Sequence, residues 1–168
     1  EYVEQLVKYK KKFVIIGNHN AITYKDIFRL IKDNKMWLGY THPVAFIVPD
    51  HYEMRSVRSW RDENGTNWRS LGNACWFTNL DIEKRHEDLV LYKNYKRKEY
   101  PEYENYDAIE VAKVADIPMD FDGVMGVPVT FLEKYNLDQF EIVGSNRGVD
   151  QDPKGVYGRG SHLNGKET

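Results

Sequence analysis

Just after a cluster of lysines, the chain carries Phe13-Val14-Ile15-Ile16 closed by Gly17-Asn18. An unbroken apolar run of this length is what a strand buried on both faces of a parallel sheet requires, because helices then cover each face. The flanking sequence offers those helices. Residues 1–12 place Tyr2, Val3, Leu6 and Val7 at helical spacing and gather Lys8, Lys10, Lys11 and Lys12 at the end, where positive charge complements the helix dipole. Thr23, followed three residues later by Asp26, has the form of a capping box. It opens a second predicted helix over residues 23–34, with Ile27, Phe28, Leu30 and Ile31 on its apolar face.

Four further runs read as strands: Met36-Trp37-Leu38, Ala45-Phe46-Ile47-Val48, Ala74-Cys75-Trp76-Phe77-Thr78 and Leu89-Val90-Leu91-Tyr92. Alternation of helix and strand at these lengths predicts crossovers onto one sheet, which later strands close in antiparallel fashion. The expected fold is therefore α/β: the distal half of a Rossmann-like domain over residues 1–92, a mixed sheet with flanking helices. Past Tyr92 the texture changes, first to a stretch dense in Tyr, Lys and Glu and then to one with acidic and Gly/Pro punctuation. An irregular appended region over 93–168 is expected. It holds a short helix at 129–135, a strand at Phe140-Glu141-Ile142-Val143, and a polar, glycine-rich tail from Gly144 that reads as loop.

Composition excludes several classes. A lone cysteine, Cys75, forms no intrachain disulfide and has no neighbouring Cys or His pair spaced for zinc. No stretch approaches the roughly 20 apolar residues of a membrane helix, and the first residues, Glu1-Tyr2-Val3, lack the pattern of a signal peptide. A soluble, cytoplasmic protein is expected. With no initiator Met and a start already in helix, the chain is expected to begin inside a longer protein. The net charge of −2 hides an asymmetry: residues 1–100 hold 18 Lys/Arg against 13 Asp/Glu, and the remainder 6 against 13. The basic half favours a polyanion on one surface, although the whole chain is not basic enough for a dedicated nucleic-acid binder.

Common enzyme signatures are absent: no glycine-rich phosphate loop, metalloprotease helix or nucleophile elbow is present. The five histidines (His19, His42, His51, His86, His162) lack ligand spacing, so no metal is expected. Two stretches carry candidate sites. Arg55, Arg58, Trp60 and Arg61, with Trp68 and Arg69 following, interleave guanidinium groups and rings in a predicted Gly/Asn-containing loop. Arg forks match phosphates and guanine edges, and exposed rings stack on bases, so these six are DNA-binding candidates. Against that stands a plain solvated loop whose tryptophans pack back on the sheet. Asn18, His19 and Asn20 follow the apolar strand at its carboxyl end, the edge where open α/β sheets bind ligands, and are ligand-crevice candidates. An ordinary turn that uses Asn for its geometry is the competing reading. Asp50 with the distant Asp152-Pro153-Lys154 is a faint outline of a magnesium-dependent nuclease, over a gap too long to persuade.

Residues 12–25 (from Lys12 through Gly17-Asn18-His19-Asn20 to Lys25), 36–43 (Met36 to Pro43), 72–80 (Gly72 to Leu80) and 117–128 (Ile117 to Pro128) together resemble the C-terminal half of EcoRI-type adenine-specific DNA methyltransferases. The similarity continues through 131–135 and 140–144 to Lys166, so it is colinear over nearly the whole chain. It implies transfer of a methyl group from S-adenosylmethionine to the exocyclic amine of adenine in double-stranded DNA, within a restriction-modification system, with the target base flipped out of the stack. The family's Asn-Pro-Pro-aromatic motif, which grips the flipped adenine, has no counterpart, because the chain contains no Pro-Pro pair. The resemblance places that motif a few residues before Glu1 and most of the donor site before it, so no catalytic or cofactor-binding residue is assigned and the fragment alone is expected to be inactive. It also implies one more apolar strand after Asn164-Gly165-Lys166. The rivals are a non-catalytic DNA- or protein-binding domain and, more remotely, the nuclease.

Overall fold

The computed structural model describes all residues except Val44, Arg55, Ser56, Asn105, 146–161, Asn164, Gly165 and Thr168. Helix α1 spans Tyr2–Lys8 and α2 spans Lys25–Lys32. The strands in chain order are β1 (Val14–Asn18), β2 (Trp37–Leu38), β3 (Phe46–Ile47), β4 (Ser59–Arg61), β5 (Asn67–Arg69), β6 (Ala74–Thr78), β7 (Ala108–Glu110), β8 (Val124–Gly126), β9 (His162–Leu163) and β10 (Lys166–Glu167). Both helices stop the same way. Lys10 and Asn34 adopt positive φ, and the following amides reach back: Lys11 N donates to Leu6 O and Lys35 N to Leu30 O. These paired Schellman closures satisfy the last-turn carbonyls. Hence α1 ends four residues earlier than the lysine run suggests. The predicted capping box is not formed, since Thr23 Oγ1 donates to Asn20 O inside a 3₁₀ turn over His19–Thr23, and α2 begins only after it.

The main sheet has the order β1-β6-β2. Strands β1 and β2 both run antiparallel to β6, so they are parallel to each other across it, joined through α2. The polar end of β6 lengthens the pairing. The Asn79 carboxamide accepts from Phe13 N at 2.9 Å and donates to Lys11 O at 2.8 Å, while Thr78 Oγ1 donates to Phe13 O at 2.8 Å. On the inner face, Ile15, Cys75, Phe77 and Leu38 pack with Phe28, Leu30 and Ile31 of α2 into the first hydrophobic cluster. Gly39 follows β2 where a Cβ would lie 2.6 Å from Trp76 Cβ, so only glycine lets the two strands approach.

The apolar run at 13–16 is not an interior strand of a parallel sheet. It forms an edge strand with one covered face, and Val14 and Ile16 on the other are 56% and 41% exposed. Continuity of apolar residues reports the capacity for burial, and the neighbours decide whether both faces use it. Leu89–Tyr92 is not a strand either. At its start the backbone is bonded by a side chain: Leu89 N donates to Gln139 Oε1 and Gln139 Nε2 donates to Leu89 O, so one carboxamide stands where a neighbouring strand would. Phe140–Val143 likewise has no ladder. Phe140 and Ile142 are held by packing into two different clusters.

A second cluster gathers Tyr100, Ile109, Val111, Ile117 and Phe131 around the parallel pair β7–β8. Tyr135 packs against both clusters, and the 3₁₀ helix Val129–Glu133 leads into it. The turn after Tyr135 is organised by Asn136, wholly buried yet satisfied: Nδ2 donates to Asp88, and Oδ1 accepts from Asp138 N. No helix among the described residues is long and apolar enough to cross a membrane.

Candidate functional site

Of the residues predicted to contact DNA, Trp60, Arg61, Trp68 and Arg69 lie on a third sheet, of order β3-β5-β4, that contributes no described member to either hydrophobic cluster, and Arg58 immediately precedes it. The stretch read as a loop is a β-hairpin. Ser59 pairs with Arg69, Trp60 with Trp68 and Arg61 with Asn67. Cross-strand partners share a face, so the pairing sorts the side chains. Trp60, Trp68 and Ile47 occupy one face, whereas Arg61, Asn67 and Arg69 occupy the other. The two indoles stack with centroids 6.5 Å apart and planes 10° from parallel, and Trp60 remains 45% exposed. Ile47 is 64% exposed, and Val57, just before the hairpin, is fully exposed.

With no core beneath it, the hairpin is held by polar groups. Asp62 Oδ1 accepts from Asn64 N and Thr66 N, and Oδ2 accepts from Trp68 Nε1 at 2.9 Å. Gly65 supplies the positive φ that closes the turn. The hydrogen bond from Trp68, followed by those of the turn amides, holds the Asp62 carboxyl below its ordinary value. On the guanidinium face, Arg61 Nε donates to Asn67 Oδ1 at 2.9 Å, and buried Asn67 donates onward to Asp50. Arg69 donates to the Tyr52 hydroxyl and lies over that ring. The Arg58 guanidinium sits against Gly72, on the far side of the hairpin from its tip. The fold thus brings together Arg58, Trp60, Arg61, Trp68 and Arg69, while Arg55 lies outside the described residues. Asp62, Tyr52 and Asn67 are the supporting groups that the sequence analysis missed. The Asp62-Glu63-Asn64-Gly65 stretch, with its turn-forming residues, carried a signal for the first.

At the carboxyl end of β1, Asn18 Oδ1 accepts from Asn20 N at 2.9 Å, and Asn20 O accepts from Thr23, so Asn18 and Asn20 are engaged within their own turn. His19, between them, is anchored by its amide to Asn73 O and turns its ring toward other segments. Its Nε2 lies 3.2 Å from Glu133 Oε1, and His42 Nε2 approaches the same oxygen at 3.8 Å. The two imidazoles meet edge to face at 5.3 Å. The histidines are therefore not all isolated, since the fold joins two of them to one carboxylate. At this strand end Asn18 uses its Oδ1 and Asn20 its backbone within the turn, and the Glu133 carboxylate lies against the His19 and His42 imidazoles. The nuclease outline gains nothing, because Asp50 accepts from Asn67 and Asp152 with Lys154 lies outside the described residues.

Residues 1–167 match the family described as adenine-specific methyltransferase EcoRI. The chain is 50% identical over 164 residues to the Type II methyltransferase M.EcoRI of Escherichia coli, covering 95% of this chain and 50% of that protein. It is 38% identical over 151 residues to M.MgeORF184P of Mycoplasma genitalium, covering 84% of this chain and 47% of the relative. It is 34% identical over 149 residues to M.MpnI of Mycoplasma pneumoniae, covering 85% and 47% respectively. The chain spans about half the length of the curated relatives it matches. No solved structure matches it.

Proposed function

From the premise that this chain belongs to the EcoRI-type adenine-specific methyltransferase family, we propose that it is part of a site-specific DNA adenine methyltransferase of a restriction-modification system. The enzyme transfers a methyl group from S-adenosylmethionine to the exocyclic amine of adenine in double-stranded DNA. Residues 1–92 are the distal part of its Rossmann-like domain, and 93–168 an appended region. The exposed outer face of the main sheet, with Val14 and Ile16, supports that reading, since a Rossmann-like sheet is covered on both sides. Without a Pro-Pro pair, the 168 residues hold no catalytic motif, and they are inactive by themselves. The donor supplies the methyl group when bound. What the chain's own residues supply is DNA contact, and no step of transfer is assigned to them.

The observation that carries this assignment is the sheet β3-β5-β4, with exposed indole on one face, guanidinium on the other and no share in either core. The major groove, about 12 Å wide, admits a two-stranded ribbon, and the β4–β5 hairpin, flanked only by the two-residue β3, offers its turn end in that form. Arg58 and Arg61 suit phosphate or guanine contacts, and Trp60 suits stacking on the base next to the extruded adenine. Replacing both Arg58 and Arg61 by alanine in the full-length protein is expected to weaken DNA binding and leave donor affinity unchanged. If both contact phosphates, the slope of log K against log salt falls in magnitude by about 1.8. Equal losses for DNA and donor, or no loss, would refute the assignment. A plain binding module would retain DNA in a salt-sensitive way without methylating it, and a nuclease would cleave it with magnesium.

A further inference from the structure

Three segments far apart in sequence deliver one cluster. His19 opens the 3₁₀ turn after β1, His42 lies in the connection from β2 to β3, and Glu133 ends the 3₁₀ helix Val129–Glu133. One nitrogen of each imidazole and one carboxylate oxygen all lie within 4.8 Å of one another. His19 and Glu133 are part-buried at 20% and 31% exposure, and His42 is exposed at 37%, which leaves the cluster open on one side. His19 Nε2 itself is buried and makes no hydrogen bond. At 3.2 Å from Glu133 Oε1, distance cannot be the reason, so the in-plane direction of that nitrogen misses the oxygen. A buried imidazole nitrogen that points past its nearest acceptor lacks the partner that would repay its desolvation.

A metal ion supplies one. Zinc-class cations bind imidazole nitrogen and carboxylate oxygen at about 2.0–2.1 Å, which in a tetrahedron sets neighbouring ligand atoms about 3.3 Å apart. The separations of 3.2 and 3.8 Å at Glu133 bracket that value. Imidazole nitrogen favours first-row transition ions over magnesium or calcium, whose ligand shells are built from oxygen. We propose that His19, His42 and Glu133 form a three-ligand site for a divalent first-row transition cation. The ion ties the 3₁₀ helix that carries Glu133 to the sheet of the first cluster and keeps a fourth position for water. The proposal stands apart from the methyltransferase reading.

The test uses the full-length protein, stripped with a chelator and titrated with zinc alone. One equivalent is expected to bind and to raise the melting temperature by mass action. Both effects are lost in His42→Ala and in Glu133→Gln. In His42→Cys loaded with cobalt(II), a thiolate-to-metal charge-transfer band is expected that the wild type lacks. Its absence in a variant with a wild-type circular dichroism spectrum overturns the site. No stoichiometric uptake by the wild type, or equal uptake by His42→Ala and Glu133→Gln, overturns it equally.

Discussion

Trp60→Ala separates what the indole does for the sheet from what it does for a partner. Trp60 is 45% exposed, so folding removes a little over half of its side chain from water. For a residue that buries up to about 250 Å² when fully enclosed, that is roughly 130 Å², or about 3 kcal/mol at ~25 cal/mol/Å², an upper bound because the unfolded chain is itself partly compact. The cost falls on β3-β5-β4 alone, since Trp60 belongs to neither cluster. Amide exchange is expected to quicken in that sheet and to stay unchanged in β1 and β6. Stacking on a base is worth about 1–3 kcal/mol, so DNA affinity is expected to fall about 5- to 140-fold. Trp60→Phe keeps a ring opposite Trp68 and should restore most of both effects. Fluorescence anisotropy of a labelled duplex, selected from random sequence and read at fixed salt, measures the loss. Wild-type affinity in Trp60→Ala would refute the reasoning. So would a phenylalanine variant with native amide exchange that binds as weakly as the alanine one.

Removing the carboxamide that bridges β6 to the start of β1, in Asn79→Ala, deletes two hydrogen bonds to backbone. It should cost about 1–2 kcal/mol, read as a lower urea midpoint with unchanged m. Gly39→Ala drives a Cβ to 2.6 Å from Trp76 Cβ and is expected to destabilise by about 1–3 kcal/mol, with Trp76 fluorescence shifted. Hydrogen bonds to Asp138 and then Asp81 raise the His86 imidazole above its ordinary 6.5, and the same His86 contact lowers Asp81 below 3.8. The His86 contribution is therefore fully present below about pH 6.5 and lost as pH rises through the elevated folded value. That of Asp81 is present above about pH 3.8 and lost as pH falls through its depressed value. Melting temperatures of wild type and His86→Gln should differ most between these limits and converge at alkaline pH, and a gap that persists there would refute the bridge.

What could be read from the sequence was local. The strands around Trp37, Phe46 and Ala74–Thr78, both helices and the short helix near Phe131 follow from periodicity within a few residues. The misread segments depend on partners far along the chain. Whether Phe13–Ile16 is covered once or twice depends on what lies against Val14 and Ile16, and whether Leu89–Tyr92 becomes a strand depends on Gln139, 50 residues away. The Arg/Trp stretch was legible as chemistry because its parts are neighbours, but its division into two faces needed the register Trp60 to Trp68. His19, His42 and Glu133 were illegible as a set, since spacing rules for metal ligands presume that at least two come from one element.

Trp60, Ile47 and Val57 are all exposed to solvent. Scattered exposed apolar residues mean little, but these three belong to one small sheet and its approach, and that sheet adds nothing to either core. A hairpin fixed by Asp62, by the Arg61–Asn67 bond and by the Arg69–Tyr52 contact keeps its shape by polar staples around its own residues. Trp68 serves both as a donor to Asp62 and as the stacking partner of Trp60, and neither role requires Trp60 to face water. A half-exposed indole keeps apolar surface that a flat partner could cover, which is the role the proposed DNA contact gives it. Arg61 and Arg69 hold the opposite face, where Asn67 and the Tyr52 ring fix their guanidinium groups, so an anionic partner on that face is what the proposed DNA contact predicts. A nucleic-acid base with its phosphate offers both at once, and the Trp60→Ala measurement of duplex binding decides whether it is the partner.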